Sequence, residues 1–258
     1  LCPRLDVFPG IFITGSPLWS AVRSGRRLVS VSPVICIDGP SGAGKGTLSR
    51  QLAQGLNWHL LDSGALYRAV GVACQRAGVA LEAANEVAAI ASVLDVDFRA
   101  TDEGITVWMA KEDVTADIRS EAGGLGASRV ALHPEVRELL LTKQREWACA
   151  PGLVADGRDM GTVVFPAAPL KIFLTASAEA RAERRFHQLQ GTGGNVSLPR
   201  LLADIKDRDA RDVSRKASPL MPAPDAVLID STSLTVEEVV QRVRGLASIR
   251  GIASDTTD

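Results

Sequence analysis

Short apolar segments alternate with longer segments of helical periodicity from residue 34 almost to the end of the chain. Continuous apolar runs of this length are typical of strands buried on both faces, because crossover helices cover the two sides of a parallel sheet. We predict five such strands: Val34–Ile37, His59–Leu61, Leu153–Ala155, Leu170–Leu174 and Ala226–Ile229. The pattern therefore predicts an α/β fold built on one doubly wound, five-stranded parallel sheet flanked by helices.

The segments between these strands show helical periodicity. We predict helices over Lys45–Leu56, Ala65–Ala77, Arg129–Trp147, Ala178–Gln190, Leu198–Arg215 and Val236–Leu246. Residues 96–118 differ, because short alternating apolar positions flank a turn at Thr101–Gly104. We interpret them as part of a small antiparallel, substrate-binding insertion over about residues 91–127, placed between core segments 34–90 and 128–247.

The folded domain is predicted to span residues 34–247. Residues 1–33 are rich in proline and glycine and poor in acidic residues, and they lack the apolar core of a secretory signal. We predict that they form a disordered extension. Residues 248–258 are predicted to be a frayed tail.

Composition and charge narrow the classes of protein. The chain has 258 residues, is 46% hydrophobic and carries a formal net charge of −1, which allows a large core and disfavours a protein that coats nucleic acid. No apolar run of about 18 residues predicts a membrane span. The cysteines lack the paired spacing of a disulfide framework or a zinc site. We therefore expect a cytoplasmic monomer with no nucleic acid or membrane partner.

The most specific motif is a glycine-rich turn between the first strand and the first helix. It comprises Gly39, Pro40, Ser41, Gly42, Ala43, Gly44, Lys45, Gly46 and Thr47. In a P-loop the backbone N–H groups converge on phosphate, and the helix N-terminus adds partial positive charge. We predict that the turn binds the phosphates of ATP, that Lys45 reaches the transferred phosphate, and that Mg²⁺ lies near Thr47.

A second charged turn, residues 156–159, follows the third predicted strand. Asp156 is placed to act through Mg²⁺ and its waters, and Arg158 to hold the acceptor phosphate. Asp159 offers a hydrogen-bond acceptor to an exocyclic amine or a hydroxyl group. The alternative is a structural salt bridge within the turn.

Two helices add further arginines. One carries Arg181, Arg184 and Arg185 on a single face; the other carries Arg208, Asp212 and Arg215 along one stripe. Because glycines follow the first array, we predict a mobile lid over about residues 181–198, which closes on the donor phosphates. For Arg181 we favour an ordinary solvated position paired with Glu179 or Glu183.

Four segments together resemble the bacterial cytidylate kinases, within the nucleoside monophosphate kinase family of P-loop proteins. They are Ile37–Thr47, Leu61–Arg68, Asp156–Pro166 and Arg208–Asp212. The resemblance covers essentially Pro33–Ala247. It implies transfer of the γ-phosphoryl group of ATP to CMP or dCMP, with Mg²⁺.

The resemblance also implies roles for individual residues. Cytosine would be faced by Ser63, Ser128, Arg137 and Asp159. The acceptor phosphate would be held by Arg68, Arg158 and Arg215, and the ribose hydroxyls by Arg208 and Asp212. We expect Lys45, Mg²⁺, Arg158 and Arg185 to share the charge of the transferred group, with Asp156 completing the catalytic set. Gly123, Gly124 and Gly126 crowd the segment before Ser128, where a helix is expected to begin.

Two other classes remain open at this stage. A related P-loop kinase would phosphorylate AMP, UMP or shikimate, and substrate comparison would separate it from a cytidylate kinase. A nucleotide-binding switch would show slow turnover with every acceptor, although the chain lacks the guanine-reading motif. A metal hydrolase is excluded, because His59, His133 and His187 lack the spacing of metal ligands.

Overall fold

The computed structural model describes residues 32–101, 104–190, 197–215 and 217–252. In chain order the elements are β1 (Val34–Asp38), α1 (Lys45–Leu56), β2 (His59–Asp62), α2 (Ser63–Arg76), α3 (Ala84–Ser92), β3 (Val96–Thr101), β4 (Gly104–Met109), β5 (Glu112–Asp113), α4 (Thr115–Arg119), α5 (Glu121–Val130), α6 (Pro134–Arg145), β6 (Leu153–Gly157), a π-helical turn (Met160–Val164), β7 (Leu170–Thr175), α7 (Ala178–Gln190), α8 (Leu198–Ser214), β8 (Val227–Asp230) and α9 (Val236–Ile249). The extension predicted over residues 1–33 lies almost wholly outside the described residues, as do residues 253–258 of the predicted tail.

The central sheet has five parallel strands in the order β2-β6-β1-β7-β8, which confirms the predicted α/β architecture. Its middle strand, β1, is buried along its whole length. Ile35 and Ile37 contribute to the core on one side of the sheet, whereas Val34 and Cys36 contribute to the core on the other. Successive side chains of a strand point to opposite faces, so a strand covered by helices on both faces needs apolar residues at consecutive positions.

The predicted insertion is a three-stranded antiparallel sheet in the order β3-β4-β5. Phe98 of β3 lies opposite Val107 of β4, and both side chains are buried. Phe98 also makes an edge contact with Trp147, with ring centroids 5.5 Å apart. The inserted sheet therefore shares a continuous core with the main domain.

The glycine-rich segment before Ser128 is a helix, α5, which the sequence pattern did not predict. The single helix predicted over 129–147 is instead divided, because Pro134 begins a new helix, α6. The glycines allow close packing: a Cβ on Gly71 of α2 would lie 3.3 Å from the Gly126 backbone, and one on Gly123 would lie 2.6 Å from the Asp117 carbonyl oxygen. Small residues are thus required where α5 meets α2 and α4.

Other helices also differ from the prediction. Helices α3 and α4 were not predicted, and α9 continues to Ile249, so the first residues of the predicted tail are helical. Burial of Ala247 against the sheet core anchors this last turn. Cys36 and Cys74 are free and buried. No helix in the described ranges is long and apolar enough to cross a membrane.

Substitution of Gly123 by alanine tests the close contact between α4 and α5. The added methyl group would overlap backbone oxygens at 2.6 and 2.9 Å, so we expect the free energy of unfolding to fall by about 1–3 kcal/mol. The matched control is Gly245→Ala in α9, where nothing lies within 4 Å of the added carbon. It is expected to gain about 0.5–1 kcal/mol from helix propensity. Equal effects in denaturant unfolding would contradict the account.

Candidate active site

The carboxyl ends of the central strands open into one cleft of about 890 Å³. This is where ligands bind in open α/β sheets. Most residues of the predicted site line this cleft, among them Ser41, Gly42, Ala43, Gly44, Lys45, Gly46, Thr47, Ser63, Arg68, Ser128, Arg137, Asp156, Arg158, Asp159, Arg185, Arg208, Asp212 and Arg215. Gly39 and Pro40 belong to the same turn but do not line the cleft. The fold therefore brings these predicted residues together in one cleft.

The turn after β1 has the backbone that its glycines permit. Gly39, Gly42 and Gly44 have φ values of 146°, 80° and 94°, a region that favours glycine. A Cβ on Gly39 would lie 1.9 Å from the Leu174 carbonyl oxygen of β7. The turn leads directly into α1, which begins at Lys45, so the positive end of this helix faces the cleft.

Lys45 and Asp156 form a buried charged pair at the base of the cleft. The lysine Nζ donates a hydrogen bond to the Pro40 carbonyl oxygen at 2.9 Å and lies 4.0 Å from Asp156 Oδ1. Burial and the positive charge of Arg158 lower the pKa of Lys45, while burial raises the pKa of Asp156. Each ion is therefore weakly stabilised without a ligand, and a phosphate beside Lys45 would favour its protonated form.

The arginines beside this pair have donors that the protein leaves unused. Arg158 donates from Nε to Asp212 Oδ2 at 3.1 Å. Among the described residues, Arg208 Nε and Arg215 Nη2 are buried without a hydrogen-bond partner. Burial and Arg158 lower the pKa of Arg208 to about 10. Unpaired buried donors of like charge are costly, so the arrangement favours binding of an anion.

Helix α8 carries the predicted stripe as far as Asp212, and Arg215 lies one residue beyond the last helical residue. Burial opposes ionisation of Asp212, but Arg158, Arg215 and Arg208 outweigh it and hold the pKa of this carboxyl below its usual range. Asp212 is therefore ionised, and it fixes the orientation of the Arg158 side chain. Its Oδ2 accepts the hydrogen bond from Arg158 Nε, and its backbone oxygen accepts one from Arg215 Nε at 3.3 Å.

The cleft is also lined by an ion pair between Arg137 and Asp159. Both side chains are buried, and the Arg137 guanidinium lies 5.7 Å from the centroid of the Tyr67 ring. Ser128, which lines the same cleft, has an Oγ that is buried with no partner in the described part of the chain. The cleft therefore offers a carboxylate, a guanidinium and a hydroxyl group in addition to the P-loop. Tyr67, whose pKa burial raises to about 12, was not predicted as a site residue.

Arg68 lines the cleft, but its guanidinium donates to the Ile118 carbonyl oxygen at 3.0 Å. Ile118 belongs to α4, next to the inserted sheet. Arg68 therefore connects α2 to the insertion as well as facing the site. Burial lowers its pKa.

The prediction for Arg181 is wrong. Its side chain is buried, because α7 packs on α8, and its guanidinium pairs with Asp209 at 2.6 Å rather than with Glu179 or Glu183. It also donates to the Ser41 carbonyl oxygen of the P-loop at 3.0 Å. Arg181 therefore ties the base of the predicted lid to the phosphate-binding turn.

The remaining arginines of α7 face the cleft. Arg184 donates to the Ser231 hydroxyl at 3.3 Å, and Arg185 donates to Gln188 Oε1 at 3.0 Å. Residues 191–196 of the lid predicted over 181–198 lie outside the described residues.

Sequence reasoning also missed Asp38, the last residue of β1. Its carboxylate accepts hydrogen bonds from the backbone N–H groups of Met160 and Gly161, each at 2.8 Å. Burial raises the pKa of Asp38 to about 6. The available signal was an acidic residue that ends an otherwise apolar, buried strand.

Protein side chains alone do not form a metal site in the described ranges. His59 and His133 instead make hydrogen bonds to the Ala150 and Leu81 carbonyl oxygens. A Mg²⁺ ion held by nucleotide phosphates would find Asp156 and the Thr47 side of the P-loop in the same cleft.

A P-loop, a buried lysine and an arginine-lined second half of the cleft define a P-loop kinase of small phosphorylated molecules. Comparison of sequences gives the family. The cytidylate kinase family model matches residues 35–248, and this chain belongs to that family.

Individual relatives agree. A protein of Pectobacterium atrosepticum named cytidylate kinase is 54% identical over 217 residues, which cover 84% of this chain and 96% of that protein. A cytidylate kinase of Salmonella arizonae is 53% identical over 83% of this chain and 95% of its own. Among solved structures, a shikimate kinase from Bacteroides thetaiotaomicron has a TM-score of 0.42 at 14% identity, over 84% of this chain and 98% of that one.

Substitution of Arg208 tests whether its unpaired, buried positive charge destabilises the nucleotide-free protein. We expect Arg208→Leu to raise the free energy of unfolding of the nucleotide-free protein by about 1–2 kcal/mol, because a buried donor without a partner is removed. Arg200→Leu, on the same helix but 82% exposed, is expected to change it by less than about 0.5 kcal/mol. Urea unfolding of the three proteins measures both values. A lower free energy of unfolding in Arg208→Leu would contradict the destabilising effect of the buried charge.

Proposed function

We propose that this protein transfers the γ-phosphoryl group of ATP to CMP or dCMP and releases ADP with CDP or dCDP. The observation that carries the proposal is the buried Arg137–Asp159 pair, which lies in the same cleft as the P-loop. One part of the cleft thus suits the phosphates of a donor, and another suits a flat polar base. Membership of the cytidylate kinase family supports the same reaction.

Cytosine presents an amino donor beside two acceptors, N3 and O2. Asp159 would accept from the amino group, and Arg137 would donate to the ring acceptors, so the pair already in place can read the base in one plane. Ser63 and Ser128 line the same cleft. The unpaired Ser128 hydroxyl is available for a further hydrogen bond to the base.

The acceptor phosphate would be held by Arg158, Arg215 and Arg68. Arg215 brings an unused donor, and Asp212 orients Arg158. Arg208 and Asp212 would meet the ribose hydroxyls, with the unused Arg208 Nε as donor. For Arg68 this role requires the guanidinium to leave or share the Ile118 carbonyl oxygen.

On the donor side, the P-loop backbone would hold the ATP phosphates and Lys45 would contact the transferred group. Arg185 would add positive charge from α7. Mg²⁺ would neutralise charge on the donor phosphates when bound. Asp156 would hold the Mg²⁺ ion through water, and Thr47, the last residue of the P-loop turn, would lie near the ion.

Phosphoryl transfer requires little covalent chemistry from the protein, so catalysis rests on alignment, charge neutralisation and exclusion of water. We assign no essential general base. Closure of a lid over about residues 181–198 would exclude water as the acceptor. The insertion over about 91–127 would be a lobe for the nucleoside monophosphate, placed between core segments 34–90 and 128–247, which carry the P-loop and the residues assigned to the acceptor.

We further propose a cytoplasmic monomer that binds nucleotides and no nucleic acid or membrane. The support is the formal net charge of −1, which disfavours a protein that coats nucleic acid. ATP and nucleoside monophosphates are also metabolites of that compartment.

The proposed reaction is tested by measuring ADP formation from ATP and Mg²⁺ with CMP, dCMP, UMP, AMP or shikimate as sole acceptor. We expect rapid turnover with CMP and dCMP. Lys45→Met should lower kcat by about 10²-fold or more, because transition-state charge loses its contact. Lys206→Met, which removes an exposed ion pair with Glu179, should leave kcat unchanged.

Other results would redirect the assignment. Preference for AMP, UMP or shikimate would preserve the donor site but contradict the base assignment. Absence of turnover with every acceptor would favour a nucleotide-dependent switch.

The Asp159→Asn variant tests how the base is read. Because an asparagine amide can donate to uracil O4, whereas Asp159 leaves two acceptors facing each other, we expect the CMP-over-UMP preference in kcat/KM to fall by about tenfold or more. The preference is measured from initial rates at saturating ATP and a series of CMP or UMP concentrations. An unchanged preference would remove Asp159 from base recognition.

A further inference from the structure

Asp38 is a buried carboxylate outside the cleft that nevertheless connects its two halves. It ends β1 directly before Gly39 of the P-loop, and its side chain does not line the cavity. Oδ1 accepts from the Met160 N–H and Oδ2 from the Gly161 N–H, each at 2.8 Å. The partners are separated from Asp38 by more than 120 residues of sequence.

The two hydrogen bonds fix the chain immediately after the base-reading and phosphate-binding residues. Arg158 and Asp159 lie between Gly157, the last residue of β6, and Met160, the first residue of the π-helical turn. The Met160 side chain covers Gly157 so closely that a Cβ there would be 2.7 Å from its Cε. The segment between these two points therefore has its ends fixed.

Burial opposes ionisation of the Asp38 side chain. Asp38 is 5% exposed and makes no ion pair within the described ranges. Its pKa is raised by burial and by Asp159, while the two backbone N–H groups and Lys45 act in the opposite direction. A neutral side chain of similar shape, asparagine, would accept only one of the two backbone hydrogen bonds.

We propose that Asp38 is a positioning residue for the acceptor nucleotide. It ties the strand that leads into the P-loop to the segment carrying Arg158 and Asp159. The base and phosphate of the acceptor are thereby held at a fixed distance from the donor phosphates. This inference rests on the proposed function, because it assumes that the acceptor is CMP.

Binding measured separately for the two nucleotides tests the proposal. We expect Asp38→Ala to raise the Kd for CMP by about tenfold or more, a magnitude typical for loss of a residue that orients a binding group. The Kd for ADP should change by less than about threefold. Asp38→Asn should give the same selectivity with a smaller effect, since one acceptor oxygen remains. The CMP-over-UMP preference should fall in both variants.

Val243→Ala provides a control for lost stability, because Val243 is fully buried in α9 and does not line the cleft. The positioning role would be overturned if the Asp38 variants raised the Kd for ADP as much as the Kd for CMP. It would also be overturned if Val243→Ala, at the same Tm as an Asp38 variant, bound CMP equally weakly. If Asp38→Ala fails to fold, Asp38→Asn carries the same comparison. Failure of the wild-type protein to bind CMP would instead overturn the proposed function.

Discussion

Burial of charge at the carboxyl edge of the central sheet is the constraint on which the rest of the structure depends. Acidic residues lie at the ends of three neighbouring strands: Asp38 and Asp62 are the last residues of β1 and β2, and Asp156 is the last but one of β6. Lys45 and a group of arginines face them from the helices that follow. Desolvation works against the ionised forms of Lys45, Asp38 and Asp156, and nucleotide phosphates are the ligands that would stabilise the positive charges of the cleft.

The apolar framework makes this arrangement possible. A parallel sheet with both faces covered is rigid, and it brings the ends of strands that are distant in sequence to one edge. The register between β1 and β6 places Asp38 beside Gly157. The glycines of α5 serve a similar purpose, because only small residues allow α5 to approach α2 and α4. Ser128, on this helix, is thus brought to the cleft by close packing.

Much of the fold follows from the sequence because strand burial and helix starts leave local signals. The bounds of α1 and α7 agree with prediction, and the P-loop glycines indicate their own backbone. Features that depend on tertiary contacts were less accessible. Glycine content argued against α5, whose stability comes from packing, and the surface pairing expected for Arg181 ignored the helix that covers it. Asp38 gave little signal, since its partners are backbone groups far along the chain.

The buried charge of Lys45 is the most direct object of measurement. We would follow the side-chain amine of Lys45 by heteronuclear NMR as a function of pH, in the nucleotide-free protein and with saturating ADP, using Lys45→Met to assign the signal. The account predicts a pKa well below the ordinary lysine value without nucleotide and a marked rise when ADP is bound. An ordinary pKa in the free protein, or no change with ADP, would contradict it.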